Sequence, residues 1–287
     1  MHILLGGTGH VGSAVARTLL EHNQPLTIIS RDPKKAVHWK DQGVTVAIAD
    51  VHDTEALRAI FQTGTRLFLL NPPAAPSTDT VAQERQSLSS ILTALDKSGI
   101  KKVVALSTYG AQPGEGVGDM GVLYEMEQQL ASKKLSTTII RAAYYMSNWD
   151  MSLPTAQQEG LVRTLYPVDL PLPMVSPDDI GQFAARLMME PQDTTGLYYL
   201  EGPTRYSSAD VAAAFAQVLN RSVVAQAIGR AQWVPALTGL GFSGPAAAAM
   251  AAMTDITLNQ DYERPEAPVR GHTTLQAYIQ QLVGQPS

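Results

Sequence analysis

The sequence predicts an α/β fold, a Rossmann-type doubly wound parallel sheet carrying a smaller C-terminal substrate lobe. Three observations predict it. Short apolar runs alternate with amphipathic helical stretches as far as Arg141, a glycine-rich turn joins the first run to the first helix, and prolines crowd the chain beyond Asn148.

Strands are expected at Met1–Leu5, Pro25–Ser30, Val44–Ala49, Arg66–Leu70, Lys102–Ser107 and Thr137–Arg141. Val11, Ala14, Val15, Thr18 and Leu19 recur at helical spacing after the first strand and give that helix one apolar face. Val81, Leu88, Ile91, Leu92 and Leu95 form a similar stripe within Thr80–Lys97, with Ser98-Gly99 as the expected C-cap. Past Asn148, the residues Pro154, Pro167, Pro171, Pro173 and Pro177 favour loops and short strands. Ser176-Pro177-Asp178-Asp179 has the form of a helix start with proline in its first turn. Gly196–Leu200 reads as another strand, and Ser207-Ser208-Ala209-Asp210 as an N-cap with an acid behind it, leading into Val211–Asn220.

Composition narrows the function classes. The 287-residue chain is 45% hydrophobic and 16% charged, as folded globular chains are. It has no cysteine, which removes disulfides, thiolate nucleophiles and cysteine-bound zinc, and its six histidines show no metal-ligand spacing. A net charge of −5 with scattered Lys and Arg argues against a nucleic-acid partner. Lys101-Lys102 reads as a solvated strand start rather than a basic patch. No apolar run approaches the ~20 residues of a membrane span, and the most apolar stretch, Pro245–Met253, is short and alanine-rich. The first strand begins at the first residue, so no leader and a cytoplasmic location are expected.

Gly6-Gly7-Thr8-Gly9-His10-Val11-Gly12 carries the chemistry. In a strand–turn–helix context, Gly6 makes the tight turn, Gly9 lets the backbone approach a diphosphate, and Gly12 lets helix and strand pack closely. The free N–H groups of Thr8, His10 and Val11 and the positive helix end then hold phosphates. Residues 1–150 are therefore read as the dinucleotide-binding domain, with 174–200 returning to it, and residues 151–287 as the smaller lobe.

The second strand selects the cofactor. In this fold an acid at that strand's end binds the ribose hydroxyls of NAD, and an arginine accepts the 2′-phosphate of NADP. Here the strand ends Ser30-Arg31-Asp32-Pro33-Lys34-Lys35. Arg31, with Lys35 adding charge, favours NADP(H); Asp32 keeps NAD(H) as the alternative.

Read in order, these segments resemble the NmrA-like group of atypical short-chain dehydrogenase/reductases over nearly the whole chain. The resemblance implies that Asp50 and Val51 contact the adenine. It places Leu70-Asn71-Pro72 beside the adenine ribose and Ser107-Thr108-Tyr109 near the nicotinamide. It also implies that the segment Arg141–Asn148, through Tyr144, closes over the cofactor. The group includes NADPH-dependent quinone and dye reductases, and also redox-sensing regulators that bind the dinucleotide without turnover.

Ordinary short-chain dehydrogenases pair a tyrosine with a lysine four residues later, and here Tyr124 is followed by Gln128. An unassisted phenol titrates near 10, far from neutrality. Tyr124 is thus either an acid–base residue or a ring packed in a helix. By the resemblance Glu127 falls at the glutamate of the group's helix, where it either orients substrate, caps a neighbouring hydrogen bond or is a solvated carboxylate. Tyr109, Tyr144, Tyr145 and Trp149 are either pocket walls or core. Without a lysine-assisted phenol, a quinone-like or otherwise conjugated acceptor suits the site better than a simple ketone, because it delocalises the charge that hydride delivers. The expected function is NAD(P)H-dependent reduction of such a small-molecule acceptor. The alternative is a redox sensor that signals to a protein partner. A sugar-nucleotide epimerase is disfavoured because it needs the tyrosine–lysine pair.

Overall fold

The computed structural model describes residues 1–259 and 261–284. Its centre is an eight-stranded sheet in which every neighbouring pair is parallel. The strands are β1 (His2–Leu5), β2 (Leu26–Ser30), β3 (Thr45–Ile48), β4 (Arg66–Leu69), β5 (Lys102–Thr108), β6 (Ser136–Ala142), β10 (Gly196–Glu201) and β13 (Val269–Arg270). Their spatial order is β3-β2-β1-β4-β5-β6-β10-β13, so the winding reverses between β1 and β4. Doubly wound sheets bind ligands in the crevice beyond the strand ends at such a reversal. The last strand, β13, comes from a stretch that the sequence assigns wholly to the lobe.

Alternation along the strands explains why both sheet faces are covered. Ile3, Leu5, Ile29, Leu67, Leu69, Val103, Ala105 and Ile139 point to one core. Helices α3 (Thr54–Phe61), α4 (Thr80–Leu95) and α5 (Asp119–Ser132) cover it. Leu4, Leu26, Ile28, Phe68, Val104, Leu106 and Ile140 point to the other. Helices α1 (His10–Glu21) and α7 (Pro177–Met189) close that face, with Trp39 of the short helix α2 (Val37–Asp41). Period-two alternation with both faces buried is what a parallel sheet requires.

A third apolar cluster gathers Met146, Trp149, Val162, Tyr166, Met174, Val211, Phe215, Leu275 and Ile279 beside the sheet. It lies among α6 (Leu153–Gln158), α8 (Ser208–Leu219), α11 (Leu275–Gly284) and two small sheets. One small sheet joins β7 (Tyr144–Tyr145), β9 (Leu172–Val175) and β11 (Arg205–Tyr206); the other pairs β8 (Leu161–Thr164) with β12 (Val224–Ala227). Helices α9 (Trp233–Gly239) and α10 (Gly244–Asn259) complete this side. Among the described residues, no helix is long and apolar enough to cross a membrane.

Helix ends follow the sequence closely in the second half. Ser176 accepts from the N–H of Asp179 with Pro177 in the first turn, and Ser207 forms a capping box with Asp210. Two expectations need correction. Helix α4 ends at Leu95, and Lys97, not Gly99, takes the left-handed conformation, with φ 61°. Gly99 serves a different need: a Cβ there would sit 2.9 Å from the Gly64 carbonyl oxygen. Lys102 is buried rather than solvated, because its ammonium donates to the carbonyls of Glu190 and Pro191 just beyond α7. Arg66 donates to the Met188 and Glu190 carbonyls beside it, so two cations cap the negative end of α7.

The packing of α7 on α1 holds the glycine turn in place from behind. A Cβ on Gly181 would lie 2.3 Å from Ala14 Cβ and 2.8 Å from the Val15 nitrogen. Gly181→Ala is expected to lower stability in urea by about 1–3 kcal/mol through overpacking. The same change at Gly239, which has nothing within 4 Å, is expected to be neutral or to stabilise by up to about 1 kcal/mol.

Candidate active site

At the strand reversal lies a cleft of about 570 Å³. Its floor is the glycine turn. Gly6 has φ +78° and is packed under Leu70; a Cβ on Gly12 would meet the Gly6 oxygen at 2.1 Å and Gly7 Cα at 2.7 Å. Gly7, which the sequence reading passed over, is needed too, since a Cβ there would lie 2.7 Å from Ile28 Cγ2. With all three glycines, α1 starts directly against β1 and β2. Gly9 is its N-cap, and no side chain caps the helix or places an acid in its first turn. The leading N–H groups therefore face the cleft with the positive end of the helix dipole.

The structure brings most of the expected cofactor residues to this one cavity. Gly6, Thr8, Gly9, His10, Val11, Arg31, Val51, Leu70, Asn71, Pro72, Ser107 and Thr108 all line it. Ser30 donates to the Asp32 carbonyl and accepts from its N–H, while the Asp32 carboxylate accepts from the N–H of Lys34. Asp32 is thereby held in its own turn, and Arg31 is the residue of that loop on the cleft wall. Among the described residues Arg31 makes no ion pair.

Below Ser107 lies a buried ion pair. Ser107 Oγ donates to Glu127 Oε1 at 2.5 Å, and Arg141 grips the same carboxylate with Nε at 2.9 Å and Nη2 at 2.7 Å. Glu127 and Arg141 are 8% and 6% exposed, so water screens the pair little. The Arg141 guanidinium also donates to the Tyr199 hydroxyl at 2.7 Å. Because the Ser107 hydroxyl donates its hydrogen bond to Glu127, its lone pairs are left for a donor in the cleft. Of the expected roles for Glu127, it is the hydrogen-bonding one that the geometry shows: the carboxylate is buried and receives Ser107 and Arg141.

Besides Glu127, six expected residues do not line the cleft. Tyr124 lines a separate groove with Arg85, Val117, Gly118 and Ala248, while its neighbour Leu123 lines the cleft. Tyr109 is buried and donates to Glu201, itself fully buried; burial first and the Glu201 charge second raise its pKa, so it is no proton donor at neutrality. Tyr144 faces an adjoining cavity, and its neighbour Tyr145 lines the cleft instead. Lys35 lines a second depression with Ser13 and Arg17, which borders Thr8, Gly9 and His10 of the same turn. Asp50 is exposed just outside, its carboxylate accepting from the His52 N–H. Gly12 shapes the turn without lining the cleft.

The adjoining cavity, of about 810 Å³, has walls of Tyr144, Trp149, Leu165, Tyr166, Leu237, Phe242 and Met250. It shares His10, Ser147 and Asn148 with the cleft. Trp149 and Tyr144 are thus both core and wall, with ring centroids 5.9 Å apart.

The NmrA-like family profile matches residues 3–279. The chain belongs to the NmrA-like family. It is 28% identical over 251 residues to the NAD(P)H azoreductase of Xenophilus azovorans, which covers 87% of this chain and 85% of the relative. It is 26% identical over 244 residues to quinone oxidoreductase 2 of Escherichia coli strain K12, covering 84% of this chain and 82% of that one. The structure of the E. coli NADPH-dependent quinone oxidoreductase complexed with NADPH matches with a TM-score of 0.81 at 24% identity, over 99% of this chain and 100% of that one. That match shows a shared fold.

This NmrA-like chain carries two acids in its cleft that the sequence reading missed, Glu84 and Asp119. The signal was present. Glu84 falls on the apolar stripe of α4, between Val81 and Leu88, where an acid is out of place.

Removing one partner of the buried pair leaves the other charge unpaired. Arg141→Met is expected to lower the urea-unfolding free energy by about 3–5 kcal/mol, while Tyr124→Phe leaves it unchanged within about 1 kcal/mol.

Proposed function

We propose that this protein is an NAD(P)H-dependent oxidoreductase that binds NADP(H) in the cleft and reduces a quinone-like or similarly conjugated acceptor. The observation that carries the reading is the uncapped start of α1, opening with Arg31 onto a cleft continuous with an aromatic-walled cavity. The names of the azoreductase and quinone oxidoreductase relatives support the same class of chemistry.

The residues present fit a dinucleotide. The glycine turn leaves room where any Cβ on Gly12 would collide with backbone, and buried Asn71 Oδ1 has no hydrogen-bond partner. When bound, the cofactor supplies the hydride. The N–H groups that open α1 hold its diphosphate, and Arg31 grips a 2′-phosphate with a charge-assisted fork. Val51 and the Leu70–Pro72 segment border the adenosine side; Ser107, Thr108 and Tyr145 border the nicotinamide side. The aromatic cavity orients a flat acceptor and excludes water from it. Tyr124 stands outside the cleft and Gln128 replaces the lysine of the ordinary pair, so an acceptor that spreads its own charge suits this site.

The missing tyrosine–lysine pair also favours a second reading, a redox sensor that binds the dinucleotide without turnover. Mixing the protein with NADPH and a panel of quinones, and following the reduced nicotinamide absorbance, separates the two: steady oxidation supports the enzyme, tight binding without oxidation the sensor. Arg31→Ala is expected to weaken NADPH about ten- to a hundredfold, the worth of one charge-assisted contact, and to spare NADH. Equal losses in a fluorescence titration of both cofactors would contradict the NADP assignment.

A further inference from the structure

Ser107 is the last residue but one of β5, at the carboxyl end of the strand, and it is 1% exposed although it lines the cleft. Its register partner on β6 is Arg141, so the two side chains leave the sheet on the same face. Glu127 of α5 meets them both there.

The charges fix the direction of the hydrogen bond between Ser107 and Glu127. Arg141 donates to both Glu127 oxygens, from Nε at 2.9 Å and Nη2 at 2.7 Å. Its Nη1 is taken by the Tyr199 hydroxyl at 2.7 Å and by Glu263 at 3.2 Å. A carboxylate held in a bidentate fork only accepts. The single Ser107 proton therefore points at Glu127, over 2.5 Å. A hydroxyl has one proton and two lone pairs, so Ser107 offers the cleft lone pairs alone. Among the described residues, no donor is bonded to them. A buried acceptor left open beside a cleft selects a donor on the ligand.

Resting on the dinucleotide reading above, we propose that Ser107 accepts a hydrogen bond from the carboxamide N–H₂ group of the nicotinamide. The winding of the sheet gives the place. Each half of a doubly wound sheet takes one mononucleotide. Arg31 after β2 and Val51 after β3 line the cleft on one half; Ser107 on β5 and Tyr145 beyond β6 line it on the other. Polarity selects the group. An amide N–H₂ donates and does not accept, so it meets the serine in only one sense. A quinone carbonyl only accepts and finds no donor at Ser107. A serine with a free proton at this place would donate to a substrate carbonyl; Glu127 removes that option. Ser107 is thus closed to the acceptor and open to the cofactor. It orients the nicotinamide ring and gives no proton to the reaction.

The test is calorimetric binding of three oxidised cofactors, so nothing turns over. NADP⁺ and its thionicotinamide analogue both carry an N–H₂ group; the 3-acetylpyridine analogue has a methyl ketone in its place. The wild type is expected to bind the acetylpyridine analogue about fivefold or more weakly than the other two, because the ketone sets an acceptor against a buried acceptor. Ser107→Ala, which leaves both Arg141–Glu127 bonds in place, is expected to bind all three within about twofold of one another. Ser107→Thr keeps the hydroxyl and is expected to restore the gap. Adenosine 2′,5′-bisphosphate, which lacks the nicotinamide half, should bind wild type and Ser107→Ala alike. A wild type that binds the three cofactors equally overturns the carboxamide contact alone, and so does a gap that persists in Ser107→Ala or a loss there that is equal for all three. Failure of the wild type to bind any of the three at millimolar concentration overturns the dinucleotide reading itself and takes the contact with it.

Discussion

The whole site depends on how closely the start of α1 is pressed onto the sheet. Gly6, Gly7 and Gly12 each occupy a place where a Cβ would meet Leu70, Ile28 or the turn's own backbone. That closeness makes the first turn of α1 a wall of the cleft rather than a solvated helix end. Behind it, Gly181 lets α7 approach α1 equally closely, and Arg66 and Lys102 fix the far end of α7. Close packing on one side thus aims unpaired N–H groups on the other.

The wall at Ser107 is set by polar groups that are buried and satisfied. Arg141 and Glu127 bridge β6 and α5, and through Ser107 their geometry reaches the cleft surface. Glu201 does the same work outside the cleft, gathering Tyr109, Arg205 and Arg270 where β10 meets β13. Tyr109 is held in that structural cluster, and Tyr124 lies in a separate groove.

Much of the fold was legible because period-two and helical spacing are local signals. The first six strands fall where alternation put them, and the caps at Ser176 and Ser207 where side chain and spacing agree. What sequence could not reach depends on long-range packing. Lys102 looks solvated beside Lys101 until the carbonyls beyond α7, about ninety residues later, arrive to bind it. Tyr144 and Tyr145 are adjacent on an extended strand, so their side chains leave on opposite faces. Only the placement of β7 against β9 decides that Tyr145 takes the cleft and Tyr144 the cavity. Glu84 and Asp119 are 35 positions apart, and nothing local to either announces the other.

The central claim is that the backbone N–H groups opening α1 receive a dinucleotide diphosphate. Amide NMR during a titration with NADPH tests it most directly. The resonances of His10, Val11 and Gly12 should move together and saturate, ahead of those in the groove beside Tyr124. If they stay in place while NADPH reaches millimolar concentration, or if only the groove responds, the account is wrong.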